Sequence, residues 1–405
     1  MDKERIRRPV LAILTGTMVV VAGCATAMPN PTSQPTPTDL ATMAGDPLPA
    51  PIHAGSVLTY RGNAARTGEM PGPGPSGTPT VAWRFQAGGG FATSPVVDAG
   101  VVYVVSGDGV VHALTLATGV ERWTAKPGGR VVASLLLVGR TVIVADEVGV
   151  VHALAEVDGA STWTFETDGP ISGSPAVDGD RVVVGTQSGS IYAIDARSGG
   201  LLWRIDVGDP IKRSVAIAES VAYLGVGGSL VAIDTVDGTI RWRSDIATDG
   251  GIGTPSVSGG LVFAAVGLDG KDPAAHGVVA LDVATGATRW RYASPTEKQI
   301  YTPAISADRA YVVGHDSLVV CLDAGTGAVE WSSPQESEVE ALPVIVDDVV
   351  YIAANDGPAA ALDATTGATQ WTVPLTGVPY APTVVDGYLL IGTDLGVLYA
   401  VGGPG

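Results

Sequence analysis

The sequence predicts an all-β fold, an eight-bladed propeller of four-stranded antiparallel blades, and three observations predict it. The eight tryptophans, Trp83, Trp123, Trp163, Trp203, Trp242, Trp290, Trp331 and Trp371, fall on one ladder, spaced by 40, 40, 40, 39, 48, 41 and 40 residues. A period near 40 sustained along a 405-residue chain marks a solenoid or a propeller. Each period also repeats one order of short β-branched or aromatic runs bounded by Gly, Asp or Ser. Finally, an eleven-residue string ending in Trp, such as "ALDATTGATQW" (361–371), occurs in seven complete copies and one split copy.

Residues 173–206 show the unit. "GSPAV" (173–177), "RVVVGT" (181–186), "SIYAIDA" (190–196) and "LLWRID" (201–206) read as strands A to D of an antiparallel meander. Strand A often opens on proline: Pro95, Pro175, Pro255, Pro303, Pro343 and Pro382. Proline cannot donate to a ladder, so strand A is predicted to be an edge, lining the central channel. Strand B, as in "VVYVV" (101–105), is apolar on both faces and is predicted to lie sandwiched between neighbouring sheets.

The recurrent string covers the end of strand C, the turn and the start of strand D. Its complete copies run 113–123, 153–163, 193–203, 232–242, 280–290, 321–331 and 361–371. Ala at the first position leaves room for a flat ring, and Gly at the seventh permits a positive φ. Asp at the third accepts hydrogen bonds from turn amides. Trp at the eleventh is placed to pack against an adjacent blade. Cys321 replaces the first Ala once; Asp195, Asp234, Asp282, Asp323 and Asp363 hold the third position, while Thr115 and Ala155 depart. Ala400 opens a copy that never reaches a Trp, and Trp83 has no upstream copy. "VAWRFQA" (81–87) is therefore predicted to supply strand D of the last blade, closing the ring non-covalently.

The N-terminus reads differently. Lys3, Arg5, Arg7 and Arg8 precede a 14-residue apolar run (10–23), too short to favour a membrane span, which ends in "VAGC" (21–24). This resembles the lipobox of bacterial lipoproteins, which implies a signal peptide over 1–23 and lipid attachment at Cys24. Residues 24–55, rich in Pro and Thr with few large apolar side chains, are predicted to be a disordered tether, and 56–405 the propeller. With Cys24 acylated, Cys321 has no disulfide partner in the chain.

The pattern A-x-D-x₃-G-x₃-W resembles the tryptophan-docking motif of the quinoprotein-like (PQQ-repeat) eight-bladed propellers, over about 81–405. "YRGNAARTG" (60–68) resembles the segment that precedes the first blade in bacterial members. The Gly-His and Trp-Asp signatures of the competing WD40 ring are absent. Within the family, the lipobox and the lack of further domains resemble the BamB-type envelope lipoproteins. That resemblance implies a non-enzymatic, lipid-anchored scaffold that binds protein or peptide outside the cytoplasm of a bacterium, as a monomer, touching the membrane through its lipid only. The net charge of −18 disfavours nucleic acid.

Cofactor-using relatives would bind pyrroloquinoline quinone and Ca²⁺ in the funnel. The resemblance implies a Trp beneath the quinone, a Cys-Cys pair above it, Glu and Asn metal ligands and an Asp base. Here every Trp is committed to the ladder, no Cys-Cys occurs, and the Asn residues are Asn30, Asn63 and Asn355. No catalytic, cofactor-binding or metal-binding residue is therefore expected. His112 and His152 read as strand residues, and the "GDG" (107–109) and "NDG" (355–357) stretches as hairpin turns. The quinone-dependent dehydrogenase remains one alternative. A ligand- or glycan-sensing propeller is another, with Phe91, Tyr301 and Tyr380 as its aromatic platforms.

Binding should then come from what does not repeat. The D–A and B–C loops share the face that leads into the channel mouth. They carry Lys126, Arg130, Lys212, Arg213, Lys298 and Tyr301, against Glu336, Glu338 and Glu340 across the ring, with Tyr380 near them. This predicts a dipolar face, basic at blades two, four and six and acidic at blade seven. Residues 267–277, including Lys271 and His276, lengthen the B–C loop of blade five and are a further candidate.

Overall fold

Runs that are apolar on both faces can be buried only between two other sheets, and this chain supplies eight. The computed structural model describes residues 55–306 and 308–402; Cys24, the leader and nearly all of the predicted tether lie outside the described residues. Blade three is typical, with strands Ala176–Asp178, Arg181–Gly185, Ser190–Asp195 and Leu201–Asp206 hydrogen-bonded in chain order. Burial falls from the inside outwards. Strand B of blade one, Val101–Val105, is wholly buried, whereas strand D of blade three alternates between exposed and half-buried residues. The eighth sheet combines Thr383–Val385, Tyr388–Gly392 and Val397–Gly402 with Val81–Gln86, and Trp83 pairs with Ala400. The ring closes as the split repeat predicts.

The ladder tryptophans work in two directions. Within a blade, Trp203 pairs with Ala193 across strands C and D, and a β-bulge follows at Ala193/Ile194. In five blades an aromatic residue of strand B faces the same position, an alanine in four of them and Cys321 in blade six. Tyr103, Tyr223, Tyr311, Tyr351 and Phe263 lie 5.9–6.0 Å from their own Trp rings. Two rings meet above that position, so it must be small. Between blades, the Trp163 indole N–H donates to Ala196 O of blade four's neighbour, blade three, at 3.1 Å, and Trp290 to Ala324 O at 2.9 Å. The next turn's glycine lies beneath the ring: a Cβ on Gly199 would sit 2.7 Å from Trp163, and Gly199 has φ +72°. That glycine thus serves a positive φ and a close aromatic approach together.

The turn aspartates behave as expected. Asp282 accepts from the amides of Ala284 and Thr285 and pairs with Arg289 at 2.7 Å. The Arg289 and Thr285 bonds hold its carboxyl down at about 2.

Strand A departs from the prediction, because it is not a free edge. Its outward N–H groups would be unpaired around a narrow channel. Residues 57–73, predicted only as a segment before the first blade, run around the inside of the ring and pair with them. Val57 exchanges hydrogen bonds with Val97 of blade one, and Leu58 O accepts from Leu137 of blade two. Ala64, Ala65, Thr67 and Gly68 carbonyls accept from Ile217, Val257, Ile305 and Ile345 of blades four to seven, and Gly72 O accepts from Asp386 of blade eight. Arg66 reaches Pro175 O of blade three at 2.6 Å. All eight blades are tied to this one segment. Arg61 and Arg66 are 1% and 0% exposed and donate chiefly to main-chain carbonyls; burial lowers their pKa values to about 10 and about 9, which leaves both charged at neutral pH.

Candidate functional site

The D–A loops converge on one mouth of the ring, around a cavity of about 470 Å³. Tyr60, from the inner segment, supplies part of its lining, while its neighbours Arg61 and Arg66 are buried behind it. The mouth is therefore a vestibule with a floor, where the sequence suggested an open channel.

Its wall is a belt of hydroxyls. Ser94, Ser134, Ser174, Ser214, Thr254 and Thr302 occupy one column at the start of strand A in blades one to six and all line the cavity. The Ser94 N–H donates to Ser134 Oγ at 2.9 Å, Ser134 N–H to Ser174 Oγ at 3.0 Å, and Ser174 N–H to Ser214 Oγ at 2.9 Å. Ser214 N–H continues the chain to Thr254 Oγ1 at 3.2 Å. The belt breaks at blades seven and eight, where Leu342 and Ala381 take the column. At its start, the Ser94 Oγ is buried with no hydrogen-bond partner among the described residues. A 40-residue column of Ser and Thr was the sequence signal for this belt, and the tryptophan ladder drew attention from it.

Six predicted residues meet at the cavity: Arg130, Lys212, Arg213, Tyr301, Glu340 and Tyr380. Arg130 pairs with Glu147 at 2.8 Å and Arg213 with Asp269 at 3.2 Å; among the described residues Lys212 has no ion-pair partner. The three tyrosines are raised in pKa, Tyr60, Tyr301 and Tyr380 alike mainly by burial, so each keeps its hydroxyl proton. The mouth thus combines hydroxyl donors, three cations and one carboxylate.

The remaining predicted residues lie elsewhere. Lys298 is exposed on its loop and does not line the cavity, so the basic side spans the loops of blades two and four and not six. Lys271 is exposed on the long loop of blade five, where its amide and that of Asp272 donate to the Asp249 carboxylate. His276 is turned to Glu297 O at 3.1 Å. The loop is ordered by these bonds and by the short helix Pro273–Ala275. Phe91 cannot be a platform: it is 0% exposed and packed in the core between blades one and eight.

Glu338 faces His315, to which sequence reasoning gave no role. His315 Nδ1 is 3.3 Å from Glu338 Oε2 and 3.4 Å from Glu340 Oε1, and its Nε2 is 2.7 Å from the Tyr301 hydroxyl. Three loops bring these four side chains together at the rim. The other internal histidines are strand residues, as expected. His112 lies between Ser106 and Glu121, and His152 bonds the fully buried Asp146 at 3.0 Å. Burial would raise the Asp146 carboxyl, but His152 and the amides of Val150 and Gly129 outweigh it and hold it low. Cys321 is buried and its thiol is pushed up to about 12, first by burial and then by Glu330, so it is chemically inert.

The residues at the mouth do not suit pyrroloquinoline quinone. The tryptophans sit on strand D at the circumference, away from the cavity, and Cys321 lies within blade six. Tyr60 of the inner segment takes up part of the cavity's lining, and no Trp or Cys lines it.

A family model described as outer membrane protein assembly factor BamB matches residues 76–214, 187–299 and 274–403. No curated protein sequence matches the chain. Among solved structures, BamB from Moraxella catarrhalis superposes with a TM-score of 0.65 at 20% identity, covering 80% of this chain and 98% of that one. A europium-containing methanol dehydrogenase gives 0.68 at 15% identity, over 87% and 98%. Quinohemoprotein alcohol dehydrogenase from Comamonas testosteroni gives 0.64 at 17%, over 86% and 81%. At these identities the structural likeness establishes the fold alone, shared by BamB and by dehydrogenases.

Proposed function

The chain belongs to the outer membrane protein assembly factor BamB family, and from that premise we propose that it is a non-catalytic envelope scaffold that grips an extended segment of a partner protein at the vestibule. The observation that carries this reading is the convergence of Arg130, Lys212, Arg213, Tyr301, Glu340 and Tyr380 on a floored, hydroxyl-lined cavity. Aromatic and arginine side chains at a concave surface supply anchoring area and directed hydrogen bonds. Cations on one side and Glu340 on the other give a bound segment a preferred direction. A floor stops a segment from threading through, so the mouth would hold a loop or chain end.

The lipobox-like sequence supports attachment through Cys24, which would place the propeller outside the cytoplasm at a membrane surface. No helix among the described residues is long and apolar enough to cross a membrane. A photo-crosslinking residue at Tyr301 or Tyr380 should capture a protein in the native envelope, while one at Thr285, on the opposite turn face, should not. Charge reversal at Arg213 and Glu340 together should abolish that capture. Equal capture from both faces, or capture indifferent to the reversal, would refute the reading.

A further inference from the structure

We propose that His315, Glu338 and Glu340 form a binding site for a divalent metal ion of the zinc class at the rim of the vestibule. This goes beyond partner binding and does not depend on it. The three donors come from two loops. His315 lies between strands B and C of blade six, and both glutamates lie between strand D of blade six and strand A of blade seven. Imidazole nitrogen and carboxylate oxygen are both zinc ligands, and three protein ligands leave a fourth position open.

The distances fit a metal shell. A charge-assisted N–H···O⁻ bond closes to about 2.7–2.9 Å. Here Nδ1 stands 3.3 and 3.4 Å from the two carboxylate oxygens. Around a tetrahedral ion with bonds of about 2.0–2.1 Å, neighbouring ligand atoms lie about 3.3–3.4 Å apart. The donor atoms all fall within 4.8 Å of one another, a spread that one half-exposed glutamate side chain can close. Two carboxylates directed at one ring nitrogen form a negative pocket that a cation between them would neutralise. No arginine or lysine pairs with Glu338 or Glu340 among the described residues.

The outer contacts fit as well. The Tyr301 oxygen lies 2.7 Å from Nε2 and can accept its proton. With the bond in that sense the Nδ1 lone pair faces the glutamates, as it does where a partner holds the distal ring nitrogen in metal sites. Glu340 and Tyr301 also line the vestibule, so the fourth coordination position opens towards it. A carboxylate of a ligand in the vestibule could complete the shell.

The test is zinc binding by the metal-stripped full chain in detergent, read by competition with a chromogenic chelator, with cobalt(II) as a spectroscopic stand-in. One Zn²⁺ per chain and a tetrahedral cobalt spectrum are expected. His315→Ala and Glu338→Gln should each weaken zinc at least tenfold, and Tyr301→Phe about tenfold through loss of the second contact. His276→Ala should change nothing. Should His315→Ala fail to fold, Glu338→Gln and the cobalt spectrum of the unaltered chain decide. No stoichiometric zinc, an octahedral cobalt spectrum, or wild-type affinity in Glu338→Gln would overturn the site.

Discussion

Replacing Arg66 by methionine is expected to unlatch the inner segment while leaving the ring standing. Arg66 is fully buried and donates to Val215 O at 2.9 Å, Pro175 O at 2.6 Å, Tyr60 O at 2.7 Å and Thr59 Oγ1 at 2.6 Å. Bonds from a charged donor contribute about 1.5–3 kcal/mol each, so four give roughly 6–12 kcal/mol. Against that stands the desolvation of an unpaired guanidinium, several kcal/mol, which methionine does not incur. Methionine nearly matches the volume, so the cavity term is small. The net loss is about 3 kcal/mol, carried by stranded carbonyls in blades three and four and in the segment itself. Hydrogen exchange reads it directly. The amides of Ile217, Val257 and Ile305 donate to the segment and should exchange about 100-fold faster, since 1.4 kcal/mol is tenfold. Amides of the central B strands should change little. Unaltered exchange at the three reporters would refute the latch, and equal acceleration throughout would show that segment and ring open as one unit.

Other outcomes follow from the same geometry. Gly327→Ala, with φ +74° and a Cβ position 2.6 Å from the Trp290 ring, should cost about 2–4 kcal/mol in denaturant unfolding, from left-handed strain plus overpacking. Asp282 has a folded pKa of about 2, below its unfolded value of 3.8, so its contribution is present above about pH 4 and is lost as pH falls towards 2; Asp282→Asn should make the acid limb of the stability profile shallower. Deleting 269–275 should leave the blades folded, because strand B of blade five ends at Leu268, strand C begins at Gly277, and the exposed Arg213–Asp269 pair is worth at most about 1 kcal/mol; circular dichroism melts would show it. Adding pyrroloquinoline quinone, Ca²⁺ and an electron-accepting dye should give no turnover with alcohols, and robust turnover would overturn the scaffold reading.

The ring was legible because its determinants recur. Ala193, Gly199 and Trp203 each hold a column, so blade count, closure and turn chemistry followed from spacing. The inner segment was not legible, because it touches each blade through only one or two bonds and has no internal period. Its two arginines look like solvated charges in sequence; the folded ring gives them carbonyl partners at Pro175, Val215 and Pro303. The site was half legible. Variable loops named six of the cavity's residues, but spacing could not say that Lys298 points away, that Phe91 is core, or that His315 of a B–C loop meets Glu338 and Glu340 of a D–A loop.

The inner segment also decides how a partner can be held. A propeller offers two backbone edges for strand addition, strand A inside and strand D outside. Here the inner segment already holds backbone bonds to seven blades, from Val97 in blade one to Asp386 in blade eight, which leaves little inner edge for an incoming peptide to extend. The outer edge carries exposed charges in several blades, Glu121 and Arg122 in blade one and Arg241 and Arg243 in blade four, a composition that resists edge pairing. Recognition is thereby left to side chains at the mouth, and it must break the ring's eightfold repetition to be specific. The break lies where Leu342 and Ala381 interrupt the hydroxyl belt, beside Glu340 and Tyr380 and opposite Arg130 and Lys212. A partner that reads that asymmetry should lose affinity when Leu342→Ser extends the belt, with the fold kept. Unchanged affinity would place recognition outside the vestibule.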